Sequence, residues 1–204
     1  MNTLRTLFLP ALIVAGITTV AQPVAVAAPA SKAVAAVVAL KPVSGTYTLD
    51  PSHTNVLAQW THFGFSQPTA EFRISEGTLV FDAANVSKSS VAVSFPIMQI
   101  DTFVPQLDKH LQSADFFDVA KFPTASFKST SVKPAGTNKF TVVGTLTIKD
   151  ISKPVTLAVT MNGAGKHAMA GKQAVGFTAT ASIKRSDFGV GAYAPNVSDE
   201  VNMR

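Results

Sequence analysis

From Phe140 to Lys184, apolar side chains recur at every second position. Val155, Leu157, Val159 and Met161 alternate with Thr156, Ala158, Thr160 and Asn162. Val175, Phe177, Ala179, Ala181 and Ile183 alternate with Gly176, Thr178, Thr180 and Ser182. Phe140, Val142, Gly144, Leu146 and Ile148 alternate mostly with threonines, and Val91, Val93, Phe95 and Ile97 form a further row. A period of two turns one face toward an apolar interior and the other toward water, the pattern of an antiparallel sheet. Turn-forming residues separate the runs: Gly136-Thr137-Asn138, Lys149-Asp150 and Asn162-Gly163-Ala164-Gly165. About eight strands at this spacing predict an all-β domain, either a sandwich or a closed barrel.

One segment departs from the pattern. Between Asp101 and Phe117, the residues Phe103, Leu107 and Leu111 lie four apart, and Pro105 stands where a helix would start. This spacing predicts a short helix laid on the barrel, N-capped by Asp101 or Thr102, with Asp115 capping a second turn through Phe116 and Phe117.

The N-terminus has the pattern of an export signal. Met1 to Arg5 carry one positive charge, Thr6 to Val20 carry none, and Ala25-Val26-Ala27 and Ala28-Pro29-Ala30 are small-residue cleavage motifs. Residues 1–27 are therefore read as a signal peptide cleaved near 27/28 or 30/31, which leaves no integral membrane span in the mature protein. Residues 28–44, rich in Ala, Val and Pro, are expected to form a flexible arm, and residues 45–204 the folded domain. The expected location is the periplasm or the exterior.

Composition narrows the function. Seventeen basic residues leave a net charge of +5, but no basic run exceeds Lys184-Arg185, so no nucleic-acid partner is expected. The absence of cysteine excludes a disulfide framework, thiolate metal sites and cysteine nucleophiles. Fourteen Phe stand against two Tyr and one Trp, a choice that furnishes apolar space without polar handles. A plain core and a ligand tunnel look alike in such a sequence, because a small barrel either fills its interior with side chains or encloses one ligand.

A search for chemistry finds no nucleophile elbow, no zinc-protease helix and no phosphate-binding glycine loop. His53, His62, His110 and His167 share no ligand spacing, so neither a metal nor a catalytic residue is expected. Arg185-Ser186-Asp187, at the end of an alternating strand, reads as an ion pair pinning a barrel rim.

Beside these patterns stands a series of motifs. Tyr47-Thr48-Leu49-Asp50-Pro51-Ser52-His53-Thr54, His62-Phe63-Gly64-Phe65-Ser66, Leu107-Asp108-Lys109-His110-Leu111 and Asp115-Phe116-Phe117-Asp118-Val119 open it. Phe122-Pro123, Phe127-Lys128-Ser129-Thr130, Gly144-Thr145-Leu146-Thr147-Ile148, Lys153-Pro154-Val155-Thr156-Leu157 and Arg185-Ser186-Asp187-Phe188-Gly189 follow in order. Each is weak alone, but the ordered set, over residues 46–204, resembles the YceI-like family. The resemblance implies an eight-stranded antiparallel, lipocalin-like β-barrel with a helical insertion, holding a long polyisoprenoid chain. It marks His53, His62, Asp108, His110, Arg185 and Asp187 as characteristic polar positions. The family's last strand usually continues beyond the point matched by Val201-Asn202-Met203-Arg204, which implies a less completely sealed barrel here.

The expected ligand contacts are His53, His62, Phe63, Phe95, Leu107, Phe116, Phe117, Phe177, Arg185 and Phe188. The expected ligand is an isoprenoid lipid or quinone, with no other cofactor. Two further readings stand beside this carrier. One is an envelope interaction module with a solid core, paired with a membrane redox partner. The other is an enzyme acting on a lipid or quinone through His53, His62 or Asp187.

Overall fold

The computed structural model describes residues 40–204, so the expected signal peptide and most of the arm lie outside the described residues. The ten strands are β1 (Gly45–Thr48), β2 (Asn55–Gln59), β3 (Thr69–Arg73), β4 (Glu76–Phe81) and β5 (Ser90–Pro96), then β6 (Thr124–Pro134), β7 (Lys139–Ile148), β8 (Ile151–Lys166), β9 (Gln173–Lys184) and β10 (Glu200–Met203). Among the described residues, one α-helix, α1 (Pro105–Gln112), lies between β5 and β6. All pairings are antiparallel, in the order β1-β4-β5-β6-β7-β8-β9-β10-β2-β3.

Ten strands appear where about eight are expected, and the register explains why. Leu49–Thr54 interrupts the run from β1 to β2, and Ile74–Ser75 interrupts the run from β3 to β4. β1 pairs with β4 while β2 pairs with β3, so the two ends of the ladder belong to the same two broken strands. The sheet thereby curls back on itself. A bridge between Glu71 and Asp101, with N···O distances of 2.8 and 3.0 Å, ties the outer edge of β3 to the segment after β5.

The alternating rows take the places their period dictates. Val142 stands opposite Leu157 and Phe140 opposite Val159. Val142, Leu146 and Val155 are buried, whereas Thr156 is exposed. At Gly144 an added Cβ would lie 2.3 Å from the Phe127 ring and 2.6 Å from the Lys128 carbonyl oxygen. The missing side chain lets the buried Phe127 lie flat across β7, and this contact fixes the identity of residue 144. Thr178, expected on the wet face, is half-buried beside Phe177. The reason is local: the Asn162 side-chain amide on β8 donates to the Thr178 hydroxyl at 2.8 Å and covers it.

The helix starts at Pro105, but its N-cap is Val104, which offers no side-chain bond. The expected caps have other roles. Asp101 accepts a hydrogen bond from the Phe103 amide, and Thr102 donates to Asp108 from both its amide (2.7 Å) and its hydroxyl (2.6 Å). Proline at the first helical position removes one of the amides that would need a cap. No second helical turn forms over Phe116 and Phe117. Instead the Ser113 carbonyl accepts from the amides of Phe116 and Asp118, and Asp115 is exposed in the resulting turn.

Candidate functional site

The barrel encloses a cavity of about 1790 Å³. Small-molecule sites usually hold about 300–1,000 Å³, so this space suits a ligand larger than a single ring system. Inward positions of the strands supply most of its wall: Val91, Val93 and Phe95 from β5, Val142 and Leu146 from β7, and Val155 and Leu157 from β8. At one end Phe140 packs edge-on against both Phe81 and Phe177, with ring centroids 6.5 Å apart in each pair. At the other end Leu107 and Leu111 of α1, with Phe116 and Phe117, form a partial lid. The interior is therefore hollow, which removes the solid core that the interaction-module reading required.

Nine of the ten expected contacts line this cavity: His53, His62, Phe63, Phe95, Leu107, Phe116, Phe117, Phe177 and Arg185. Phe188 does not. It is 1% exposed and belongs to the packed cluster with Phe127, Leu146 and Val155. It lies in the 3₁₀ turn Arg185–Phe188, which Gly189 terminates in the left-handed region at φ 68°. That turn places the ring in the cluster rather than in the cavity.

Arg185 has a different partner set from the expected one. Asp187 is exposed and makes no ion pair with it. The guanidinium instead donates to four carbonyl oxygens: Nε to Ser198 (2.8 Å), Nη1 to Val190 and Ala192 (both 2.7 Å), and Nη2 to Val197 (2.7 Å). Burial pulls its pKa below the ordinary value, against the opposing pull of the Asp199 carboxylate. Asp199 in turn accepts from the Ser186 hydroxyl (2.6 Å) and amide (2.8 Å). These bonds, the hydroxyl first, hold its carboxyl below the usual range. The arginine thus clamps the loop from β9 to β10, and the charge at the strand end organises backbone.

The histidines serve different local functions. Nδ1 of His53 lies 2.8 Å from Oδ2 of Asp50, an ion-pair geometry on the surface at the break between β1 and β2. The interaction with His53 and then the Ser52 amide lower the Asp50 pKa. His62 forms backbone bridges to Ser66 and Val197 and packs edge-on against Phe63. His110, on α1, packs 5.0 Å from the Phe116 ring and 6.2 Å from Tyr193. Asp108 accepts from the amide and the hydroxyl of Thr102. Among the described residues, no cluster of three or more metal-ligating side chains occurs, and no helix is long and apolar enough to cross a membrane.

Sequence reasoning missed Tyr193, which lines the mouth beside His110 and Phe116. No periodicity reaches it, because it stands in a loop that depends on the Arg185 clamp. It also missed Phe81 and Phe140 as cavity residues, although both fall on alternating rows that could have revealed them.

A curled antiparallel sheet around a large apolar cavity, with a helix across one end, defines an all-β protein of barrel-like fold. The sequence model of the YceI-like domain matches residues 47–204, and the chain belongs to that family. Protein YceI of Salmonella arizonae is 38% identical over 163 residues, covering 79% of this chain and 84% of that protein. The crystal structure of BcnA from Burkholderia cenocepacia is similar at TM-score 0.68 and 28% identity, over 76% of this chain and 94% of that one. A polyisoprenoid binding domain from Saccharophagus degradans shares the fold at TM-score 0.55 and 11% identity, over 79% of this chain and 95% of its own.

Proposed function

We propose that the protein is an envelope carrier that encloses one long apolar chain, an isoprenoid of polyprenyl or quinone type, in the barrel cavity. The observation that carries this reading is the volume of about 1790 Å³ lined chiefly by Val, Leu, Ile and Phe. Emptying such a space forfeits dispersion contacts along its whole lining, and an apolar chain restores them. Each buried CH₂ contributes ~0.8 kcal/mol, so a forty-carbon chain contributes on the order of tens of kcal/mol before ordering costs. Headgroup contacts are secondary in this balance, and the reading requires no catalytic step. The description of the Saccharophagus domain as polyisoprenoid binding is consistent with it. The charged start, apolar run and small-residue cleavage motifs of residues 1–30 support export to the periplasm.

Organic extraction of protein purified from its own envelope, followed by mass spectrometry, tests the reading directly. The expected product is one chemically unchanged long-chain isoprenoid per protein. Phe95→Trp, which thickens the cavity wall near the end of β5, is expected to abolish loading while leaving the strand signature in circular dichroism intact. Overpacking at that position lowers stability by about 1–3 kcal/mol. An extract with no stoichiometric lipid, or a Phe95→Trp variant that loads normally, would refute the carrier.

A further inference from the structure

The mouth beside α1 is bordered by side chains that folding alone leaves unexplained. Phe65 is 94% exposed, Phe103 73%, Tyr193 63%, Phe63 53% and Val104 50%. They come from three separate segments that the structure draws together. The Phe63 amide donates to the Asn196 carbonyl at 2.7 Å, joining the β2–β3 loop to the β9–β10 loop. Tyr193, in the latter loop, packs against His110 of α1, and Phe103 and Val104 lead directly into that helix. Phe63, Val104 and Tyr193 also line the cavity, so the exposed apolar rim and the interior are continuous.

Backbone conformation gives an independent indication. Among the described residues, six non-glycine residues have positive φ, and three of them are rim aromatics: Phe63 at 50°, Phe103 at 63° and Tyr193 at 65°. The others are Asp118, Asn138 and Lys149, polar residues that suit turns. Holding a bulky aromatic residue in the left-handed region costs free energy, and so does exposing its ring to water. Phe63 and Tyr193 recover part of this through His62, His110 and Phe116, whereas Phe65 and Phe103 stay 94% and 73% exposed, and strained residues of this kind concentrate at sites of function.

We propose that this rim is a membrane-docking surface, in which Phe63, Phe65, Phe103, Val104 and Tyr193 enter the headgroup layer of a bilayer and the mouth opens onto the lipid. The inference rests on the carrier reading for its purpose, since an insoluble chain must pass between bilayer and cavity. The chemistry favours a lipid surface over a protein partner. The rim is aromatic and apolar, and it surrounds an opening that a docked protein would stopper. Asp101 and Asp108 are engaged by local amides and Thr102, and Lys109 and Asp115 place one charge of each sign nearby. Insertion is therefore apolar in origin, as for interfacial helices whose rings lie at the acyl boundary. It requires no anionic lipid and survives high salt.

The test is flotation of the exported protein with phosphatidylcholine vesicles at low and high salt. Phe65 and Phe103 lie outside the cavity lining, so the double variant Phe65→Ser, Phe103→Ser alters the rim alone. Met169→Ser is the control, because Met169 is 93% exposed in the β8–β9 hairpin at the far end of β9. The wild type and the control are expected to float at both salt concentrations, with partitioning of the double variant reduced by about tenfold or more. A wild type that does not float, a double variant that floats equally, or binding that disappears in high salt overturns the proposal. A short water-soluble isoprenol, followed by thermal shift, separates this from the carrier reading. Equal stabilisation of wild type and double variant shows both folded and loading. Lost flotation without any isoprenol shift in either protein leaves docking standing and removes the carrier.

Discussion

The two sides of the barrel are built on different principles. Strands β6 to β9 are 11, 10, 16 and 12 residues long, and β6 to β8 carry the buried Phe127, Val132, Val142, Leu146, Val155 and Met161. The opposite side, β2, β3 and β10, has strands of five, five and four residues, and its buried apolar residues are only Ala58, Ala70 and Val201. The long wall is held by side-chain packing. The short wall has little apolar volume to bury and relies on discrete polar ties: the Glu71–Asp101 bridge, the Arg185 clamp and the Asp199–Ser186 bonds. A barrel with a hollow interior can thus concentrate its packing energy on one side and fasten the other with hydrogen bonds.

The largest expected effect falls on the long wall. Val142→Asp places an unpaired carboxylate opposite Leu157 and is expected to cost several kcal/mol, enough to unfold a domain of ordinary stability. Thr156→Asp, on the outward face of β8, is expected to change stability by less than about 0.5 kcal/mol. Thermal melts followed by circular dichroism decide between them, and equal behaviour of the two would show the register to be wrong.

Next comes the short wall. Arg185→Met deprives four carbonyl oxygens of their donor and is expected to cost on the order of 3–5 kcal/mol. The loss should be local first, with amide exchange accelerating over residues 186–199 while β6 to β8 stay protected. A uniform acceleration across both walls would abolish the distinction drawn between them.

The smallest effect concerns pH. The Asp199 carboxyl is lowered in the folded state, so its contribution is fully present above the ordinary carboxylate value of 3.8. It is lost as pH falls through the lowered folded value. Asp199→Asn is accordingly expected to be slightly less stable near neutrality and to show a shallower decline in acid, measured as melting temperature against pH. An unchanged acid limb would remove Asp199 from the ties of the short wall.

Legibility in the sequence follows the same division. Strands β5 to β9 are long enough for period two to register, and Val142, Leu157 and Phe177 could be oriented from the sequence alone. Strands of four to six residues give little periodic signal, so the breaks at Leu49–Thr54 and Ile74–Ser75 are hidden and an expected eight strands are ten segments. The cavity residues on regular strands were accessible by alternation, as Phe95 and Phe177 illustrate. Phe188 was misplaced because one left-handed glycine after a 3₁₀ turn decides where its ring points. Arg185 has a partner other than the one the sequence suggests. A neighbouring Asp187 suggests an ion pair, whereas the actual acceptors are carbonyls 5 to 13 residues further on, which carry no side-chain signature.

The Arg185 bonds also make the guanidinium a chelator of its own chain. Its four carbonyl ligands, from Val190, Ala192, Val197 and Ser198, belong to one loop. Once the first is bound, the others are held at high effective concentration, so later bonds need little additional ordering of the chain. The same multidentate geometry makes release cooperative, because one broken contact leaves three that draw the backbone back. The β9–β10 loop therefore behaves as a single rigid lip of the barrel, and Tyr193 and Val197 are presented at the mouth in a fixed arrangement rather than as independently wandering residues.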